Sequence, residues 1–334
     1  MQEFIMGLPK AELHVHLEGT LEPELKFKLA AKNNLALPYH NVQEMRAAYD
    51  FDGLTAFLNA YYEGMDVLLY EQDYYELAFA YLEKAHSQNV LYTEMFFDPQ
   101  AHTSRGVDFE DVITGIHRAQ VDAKQKFAID SKLIMCFLRD HSADSAMATL
   151  ELALPFKNWI IGIGVDSETG GESPTKFSAV YKRAQKAGFR LTAHCDVEMP
   201  NVLSYMEQSV DKLGIERIDH GINVVESPAL YEKIKKLGLG FTFCPLQNVS
   251  LCSGMKAHEF KQALRDGLLI TVNSDDPAYF DGYIGDNFIA LQKEVNLNRD
   301  DLILCVKNAF EMAWITPEEK DEYLQKLTEY LNKQ

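Results

Sequence analysis

The sequence contains few cysteines, and their positions argue against a covalent framework. No two of them form the CxxC spacing that is typical of metal-binding or redox pairs. They lie mostly in apolar segments, at Cys136, Cys195, Cys244, Cys252 and Cys305. Scattered thiols of this kind are typical of a reducing compartment, so we expect a cytoplasmic protein without disulfides.

Positive charge is also scarce. The chain has 32 basic and 50 acidic residues, which give a formal net charge of −18. A surface of this sign repels polyphosphate backbones, so no nucleic-acid partner is expected. No segment approaches the roughly 20 apolar residues that span a bilayer, and no basic start precedes an apolar stretch at the N-terminus. We therefore expect a small-molecule partner and no membrane; the oligomeric state is left open.

Long linkers, internal repeats and low-complexity segments are absent as well. The 334 residues are 47% hydrophobic and 25% charged, which suits one large core. We therefore expect a single domain over residues 1–334. From the middle of the chain onward, short apolar runs alternate with helical segments that end at glycine. One such segment begins at Ser173-Pro174 and ends at Gly188, where the apolar run FRLTAHC follows directly.

Eight candidate strands emerge from this alternation, and a closed (β/α)8 TIM barrel is the predicted fold. An open doubly wound sheet is the alternative. Between Gly19 and Val90 the chain is too long for one crossover helix, so we expect an inserted helical hairpin over the barrel mouth, and a helical tail over Pro317 to Asn332. The strands are Ala11 to His16, Val90 to Phe97, Lys132 to Leu138, Ile160 to Asp166, Arg190 to Cys195, Arg217 to His220, Gly240 to Pro245 and Leu268 to Ser274.

Histidines and aspartates fall at the ends of several of these strands. All carboxyl ends of a parallel barrel meet at one face, where active sites of this fold lie. The polar residues at these ends are His14, His16, His194, His220, Asp275 and Asp276. Because side chains two apart on a strand point the same way, His14 and His16 can bind one ion. Imidazoles with one carboxylate suit zinc or another divalent transition metal, which activates a bound water.

Each of these features, taken alone, also has a simpler structural explanation. A lone HxH pair often only forms hydrogen bonds at a strand end, but packing alone has no use for so many polar groups at one face of an apolar interior. An aromatic cluster in the predicted hairpin is by its helical spacing either core or a stacking lid for a flat base. Its members are Phe57, Tyr61, Tyr62, Tyr70, Tyr74 and Tyr75.

The sequence resembles the adenosine and adenine deaminase family, a branch of the amidohydrolase superfamily of TIM barrels. The resemblance runs nearly end to end, through LPKAELHVHLEG, YTEMFFDPQAH, IIGIGVDSETGG, LTAHC, RIDHGI, CPLQN and NSDDP. It implies one zinc ion bound by His14, His16, His194 and Asp275. It also implies that His220 orients and deprotonates the zinc water, that Asp276 hydrogen-bonds the purine N7, and that Gly170 or Gly171 is a backbone donor to the base.

Three departures from the family pattern bear on substrate and mechanism. The family typically has HAGE, whose glutamate protonates N1, but here Val197 stands in that place, so either Glu198 or Asp196 takes the role. Glu18 replaces the aspartate that meets the ribose 5′-hydroxyl in nucleoside-specific members, which favours a free base. Gln247 replaces a serine that is more frequent in the family.

The resemblance predicts a zinc-dependent hydrolase that releases ammonia from C6 of adenine, adenosine or an N6-modified analogue. Two alternatives remain at this point. One is an amidohydrolase of the same scaffold with a different substrate, because the HAGE acid is missing. The other is an inactive purine-binding protein.

Overall fold

Eight parallel strands form the predicted (β/α)8 barrel and are hydrogen-bonded to one another in chain order. The structure is a computed structural model, and it describes residues 1–168, 171–197 and 199–333. Nearly every residue of these strands is buried, because helices cover the outside and side chains fill the inside. The strands are β1 Lys10–His16, β2 Val90–Phe97, β3 Asp130–Leu138, β4 Ile160–Asp166, β5 Arg190–Cys195, β6 Arg217–His220, β7 Gly240–Phe243 and β8 Ile270–Val272.

The barrel closes between β1 and the residues that follow β8. Asp275 donates its backbone N–H to the carbonyl of His14 (3.1 Å) and accepts the N–H of His16 at 2.9 Å. β8 is shorter than predicted, because the Asn273 side chain replaces a backbone acceptor there and bonds the N–H of Leu13 at 2.8 Å. This closure inserts the backbone of Asp275 between the two histidines of the HxH pair.

Helices connect the strands, and the segment predicted from Ser173-Pro174 to Gly188 begins and ends at those residues. Ser173 accepts the backbone N–H of Thr175, and Gly188 ends the same segment with a φ of 86°, a conformation that glycine adopts without strain. The α-helices are Gln2–Gly7, Pro23–Lys32, Val42–Ala47, Leu54–Gly64, Glu71–Ser87, Pro99–Thr103, Phe109–Phe127, Ala143–Ala153, Ser178–Ala187, Val202–Gln208, Pro228–Leu237, Pro245–Leu251, Ala257–Arg265, Ile284–Val295, Arg299–Met312 and Pro317–Leu331. Short 3₁₀ segments are Glu18–Thr20, Met65–Val67, Leu154–Phe156, Pro174–Phe177 and Ile222–Glu226, and Ser209–Leu213 is a π-helical turn.

The segment between β1 and β2 is not the simple hairpin that was predicted, because it contains four α-helices. Glu71–Ser87 packs against Phe109–Phe127 and is the barrel crossover helix, which leaves three shorter helices as the insertion. Lys26 ties the insertion to the barrel, since its Nζ donates to the hydroxyls of Tyr49 (2.9 Å) and Tyr279 (3.0 Å). Among the described residues, none of the helices is both long and apolar enough to cross a membrane.

Candidate active site

Four predicted metal ligands meet at the carboxyl-end face of the barrel. His16 Nε2 lies 3.0 Å from His194 Nε2, His14 Nε2 lies 3.1 Å from Asp275 Oδ1, and His16 Nε2 lies 3.4 Å from the same oxygen. All four side chains are buried. The fold therefore brings residues from β1, β5 and the end of β8 into one cluster, which we call the four-ligand cluster.

The chemistry of the four-ligand cluster fits a metal ion. His14 Nε2 is buried and makes no well-aligned hydrogen bond in the described part of the chain. The close approach of His16 Nε2 and His194 Nε2 allows only one of the two nitrogens to carry a proton. A cation that shares these lone pairs with the carboxylate of Asp275 satisfies all of them, and three imidazoles with one carboxylate are donors that zinc accepts.

A buried aspartate lies behind the four-ligand cluster, beside two of its imidazoles. Asp219 accepts the hydroxyls of Thr192 (2.5 Å) and Thr242 (3.0 Å), and its Oδ2 lies 3.7 Å from Nδ1 of His194. Because Thr242 donates to Asp219, its lone pair accepts the Nδ1–H of His14 at 2.7 Å. The tautomer of His14 that follows leaves Nε2 with a free lone pair toward the cluster.

Burial and the neighbouring imidazoles favour the neutral forms of His14 and His194. Burial lowers the pKa of His194 well below its ordinary value, and the neighbouring His14 and His16 lower it further. Burial alone would raise the pKa of Asp275, but His14 and His220 outweigh it, so this pKa lies below its ordinary value. Neutral imidazoles and an ionised carboxylate are the forms that bind a metal.

His220 and Asp196 form a second polar group beside the four-ligand cluster. Nε2 of His220 lies 3.4 Å from Oδ1 of Asp196 and 3.7 Å from Oδ2 of Asp275. The other oxygen of Asp196 forms an ion pair with Arg139. Burial alone would raise the pKa of Asp196, but Arg139 and His220 lower it below its ordinary value. Both oxygens of Asp196 thus face cations or potential cations.

Asp276 faces the cavity from the end of β8. Its Oδ1 is buried without a hydrogen-bond partner in the described residues, and burial followed by the charge of Asp275 raises its pKa well above the ordinary value. A Cβ atom on Gly19 would lie 2.0 Å from this oxygen. The glycine of HVHLEG is therefore required by the close approach of Asp276.

Glu18 lies behind the cavity wall rather than on it. Its Oε1 accepts the backbone N–H of Asp98 at 3.0 Å and lies 2.9 Å from Nε2 of His102. Only 1% of Glu18 is exposed, and Asp98 rather than Glu18 lines the cavity that holds His16 and Asp276. The structure therefore places Glu18 outside the cavity lining, and its contact with substrate stays a prediction.

The helix Leu54–Gly64 covers the cavity. Its Phe57, Tyr61 and Tyr62 line the space above the four-ligand cluster, and the Tyr62 hydroxyl donates to Ser167 at 2.8 Å. The structure therefore gives half of the predicted aromatic cluster the position of a lid. The other half, which lies away from this cavity, consists of Tyr70, Tyr74 and Tyr75.

Two predicted residues lie outside the part of the chain that the structure describes, namely Gly170 and Glu198. Gly171 borders a neighbouring cavity that Asp196 also lines, and its carbonyl accepts the hydroxyl of Tyr205 at 2.8 Å. Gln247 lines both cavities. The choice between Glu198 and Asp196 as the acid therefore stays open.

Comparison with known proteins decides which family this site belongs to. The family model described as adenosine deaminase matches residues 9–330, nearly the whole chain. The chain belongs to the adenosine deaminase family. It is thus an aminohydrolase of the metal-dependent amidohydrolase superfamily, as the sequence motifs predicted.

Curated relatives and solved structures agree with this assignment over their full lengths. The chain is 47% identical over 333 residues to an adenine deaminase of Hahella chejuensis, with 99% of each chain covered. It is 48% identical to an adenine deaminase of Psychrobacter cryohalolentis, with 98% of each covered. The crystal structure of an adenine deaminase from Arthrobacter aurescens superposes with a TM-score of 0.94 at 40% identity, covering 97% of this chain and 99% of that one.

A structure with a bound metal is also similar. An amidohydrolase from Burkholderia ambifaria, crystallised with zinc, superposes with a TM-score of 0.89 at 25% identity, covering 99% of this chain and 94% of that one.

Three polar residues of this adenosine deaminase family site were not predicted from the sequence, namely Asp98, Arg139 and Asp219. Asp98 follows β2 and Arg139 follows β3, so the rule that strand ends meet at one face applied to both. Asp219 carried a different signal, since a carboxylate inside a buried strand requires partners. Asp98 and Asp219 lie within the motifs YTEMFFDPQAH and RIDHGI but were given no role, and Arg139 lies outside the quoted motifs.

Proposed function

We propose that this enzyme is a zinc-dependent adenine deaminase, which converts adenine and water into hypoxanthine and ammonia. The observation that carries the proposal is the convergence of the four-ligand cluster, His220 and Asp276 around one cavity under an aromatic lid. The residues come from segments far apart in the sequence, and a purely structural role does not require so many unpaired polar atoms in one place.

One zinc ion, bound by the four-ligand cluster, would supply a water activated as a nucleophile at neutral pH. The cluster is suited to this because Thr242, held by Asp219, orients His14, and because burial lowers the pKa of His14 and His194. The Burkholderia ambifaria structure with bound zinc supports the choice of metal.

The chain's own residues act on the water and on the base. His220 lies beside Asp275, where it accepts a proton from the attacking water. Asp276 hydrogen-bonds the purine N7, which is an acceptor, so the carboxyl of Asp276 must carry the proton in that contact. A backbone N–H at Gly170 or Gly171 holds the opposite edge of the base. Protonation of N1 falls to Glu198 or Asp196.

A free base fits the site better than a nucleoside. Glu18, which stands where a ribose contact is expected, is buried and does not line the cavity, and its Oε1 already contacts His102 and the backbone N–H of Asp98. The two curated relatives described above and the Arthrobacter aurescens structure are adenine deaminases, which supports the same choice.

Ammonia release from adenine, adenosine and N6-methyladenine tests this proposal, together with the metal content of the purified enzyme. We expect about one zinc per chain. We expect kcat/KM for adenine to exceed that for adenosine by at least about 100-fold. A site that hydrogen-bonds an N–H of its substrate rejects an analogue in which that N–H is replaced, as N9–H is in adenosine. Enzyme stripped of metal is the control. Zinc-loaded enzyme that is inert toward every 6-substituted purine tested would falsify the proposal.

Asp196 is proposed to position His220 through its contact with Arg139, and a double-mutant cycle tests this coupling. Asp196→Asn and Arg139→Met should each lower kcat by about 10- to 100-fold while zinc stays bound, because each breaks one buried charge pair. The double variant should be little worse than either single one, since both act through the same contact.

The matched comparison for this cycle is Glu198→Gln. If Asp196 protonates N1 itself, Asp196→Asn lowers kcat much further than Arg139→Met, and the two effects add. In that case Glu198→Gln leaves kcat nearly unchanged, and the positioning role is wrong.

A further inference from the structure

Besides Asp166, Asp98 is the carboxylate among the described cavity residues that the proposed roles leave unused. It follows β2, is 2% exposed, and its Oδ1 has no hydrogen-bond partner in the described residues. It lines the same cavity as His16 and Asp276. A buried carboxyl oxygen without a partner is costly, which points to a ligand that completes its hydrogen bonding.

The side chain of Asp98 faces the cavity and does not cap the helix that follows it. Asp98 is the N-cap residue of the helix Pro99–Thr103, a position where aspartate ordinarily accepts a backbone N–H of the helix. Its side chain makes no such bond. Glu18 meanwhile accepts the backbone N–H of Asp98 at 3.0 Å and so holds the residue in place. The capping bond is given up, and the carboxyl group points into the cavity.

The order of the strands places Asp98 along one edge of a bound purine. If C6 lies at the four-ligand cluster and N7 at Asp276, the five-membered ring extends over the ends of β8, β1 and β2. Gly19, after β1, lies directly against Asp276, and Asp98 follows the next strand. The opposite edge, with N1 and N3, extends over β4 and β5. The atom of the five-membered ring that lies beyond N7 and C8 is N9.

We infer that Asp98 accepts a hydrogen bond from the N9–H of a free 6-aminopurine and thereby selects the base against its N9-substituted derivatives. The inference rests on the proposed deaminase function and adds the residue that determines its specificity. Adenine carries a proton on N9, whereas 9-methyladenine and adenosine carry carbon there. A carboxyl group accepts an N–H through its free oxygen whether or not its other oxygen carries a proton.

The neighbouring carboxylate of Asp166 can accept a hydrogen bond from an amide at position 98, so asparagine should preserve the acceptor there. His16, Asp98 and Asp166 each place one ligand atom within 4.8 Å of the others. In the Asp98→Asn variant, the amide NH₂ donates to Asp166 and the amide oxygen accepts N9–H. In the Asp98→Ala variant, no acceptor remains.

The test compares kcat/KM for adenine and 9-methyladenine in the zinc-loaded wild type, Asp98→Ala and Asp98→Asn. Asp140→Ala is the matched control, because this carboxylate follows the next strand but is exposed and does not line the cavity with His16. We expect the wild type to prefer adenine by on the order of 10²- to 10⁴-fold. Asp98→Ala should lower kcat/KM for adenine about 10- to 150-fold and change 9-methyladenine less than about 3-fold. Asp98→Asn should keep adenine within about 10-fold of the wild type.

Several outcomes would overturn the inference. Equal losses on both substrates in Asp98→Ala would mean that Asp98 does not interact with N9. A gain on 9-methyladenine with adenine unchanged would mean that Asp98 excludes the methyl group by size alone. Loss of a second metal equivalent in Asp98→Ala would assign the residue to a cation. If Asp98→Asn is as impaired on adenine as Asp98→Ala, Asp98 does not act as the hydrogen-bond acceptor for N9–H.

Folding and the parent proposal are checked separately. Circular dichroism and zinc content identify any variant that fails to fold. If Asp98→Ala does not fold, the inference is tested by the wild-type preference for adenine and by the Asp98→Asn variant. Equal turnover of adenine and 9-methyladenine by the wild type then overturns it. Wild-type enzyme that does not deaminate adenine at all overturns the proposed function instead.

Discussion

Asp275→Ala is expected to abolish both zinc binding and turnover. Asp275 contributes the carboxylate of the four-ligand cluster, and its Oδ1 lies 3.1 Å from His14 and 3.4 Å from His16. Without it, three imidazoles remain and no carboxylate charge balances the cation. Because a bound metal lowers the pKa of its water toward neutrality, we expect kcat to fall by on the order of 10⁴-fold or more without it. Metal analysis after gel filtration and an ammonia assay measure the two effects.

Asp276→Ala is the matched control for this prediction. The residue is adjacent in sequence and equally buried, but in the proposed mechanism it contacts N7 rather than the metal. We expect this variant to retain zinc and to lose about 10- to 100-fold in kcat/KM, which is the effect of one buried hydrogen bond. If both variants lose metal equally, the roles of the two aspartates are misassigned.

His220→Asn is expected to retain zinc and to lose about 10²- to 10⁴-fold in kcat, the usual contribution of a general base. Asparagine is the informative substitution for a backbone reason. His220 has a φ of 59°, which asparagine adopts more readily than alanine does, so the variant separates loss of the imidazole from loss of the local fold. Steady-state kinetics and metal analysis of the purified variant provide the measurement.

His258→Asn serves as the control for His220→Asn, because His258 is exposed on the helix Ala257–Arg265. It should behave as the wild type in both assays. A His220→Asn variant that has lost its zinc would place His220 among the ligands. A variant with unchanged kcat would assign proton transfer to another residue.

Periodicity was sufficient for the barrel but not for its insertion. The strands could be predicted because each is a short apolar run bounded by glycine or a helix cap, and such signals are local. The segment between β1 and β2 was predicted as a hairpin, yet it contains four helices. Its helices differ in what they pack against, and a helical pattern does not specify its partner.

The candidate site divides in the same way. The HxH pair, the strand-end histidines and the Asp-Asp pair were predicted from the sequence, and the structure brings them together, although their roles stay predictions. Glu18 was expected to face the substrate, but it lies behind Asp98, since its longer side chain reaches His102. Asp196 could be named from the sequence but not distinguished from Glu198. Its pairing with Arg139 depends on the barrel, which places the ends of β3 and β5 close together on either side of β4.

The amino-acid order alone was enough to predict the barrel, the candidate ligand residues and the family, because these depend on patterns along the chain: two residues on a strand, a strand and helix in alternation, a motif in its order. Which carboxylate faces the cavity, which tautomer His14 adopts and which aromatic rings cover the site depend on contacts between segments up to hundreds of residues apart. Such contacts are determined by packing and burial of the whole chain, and no local pattern records them.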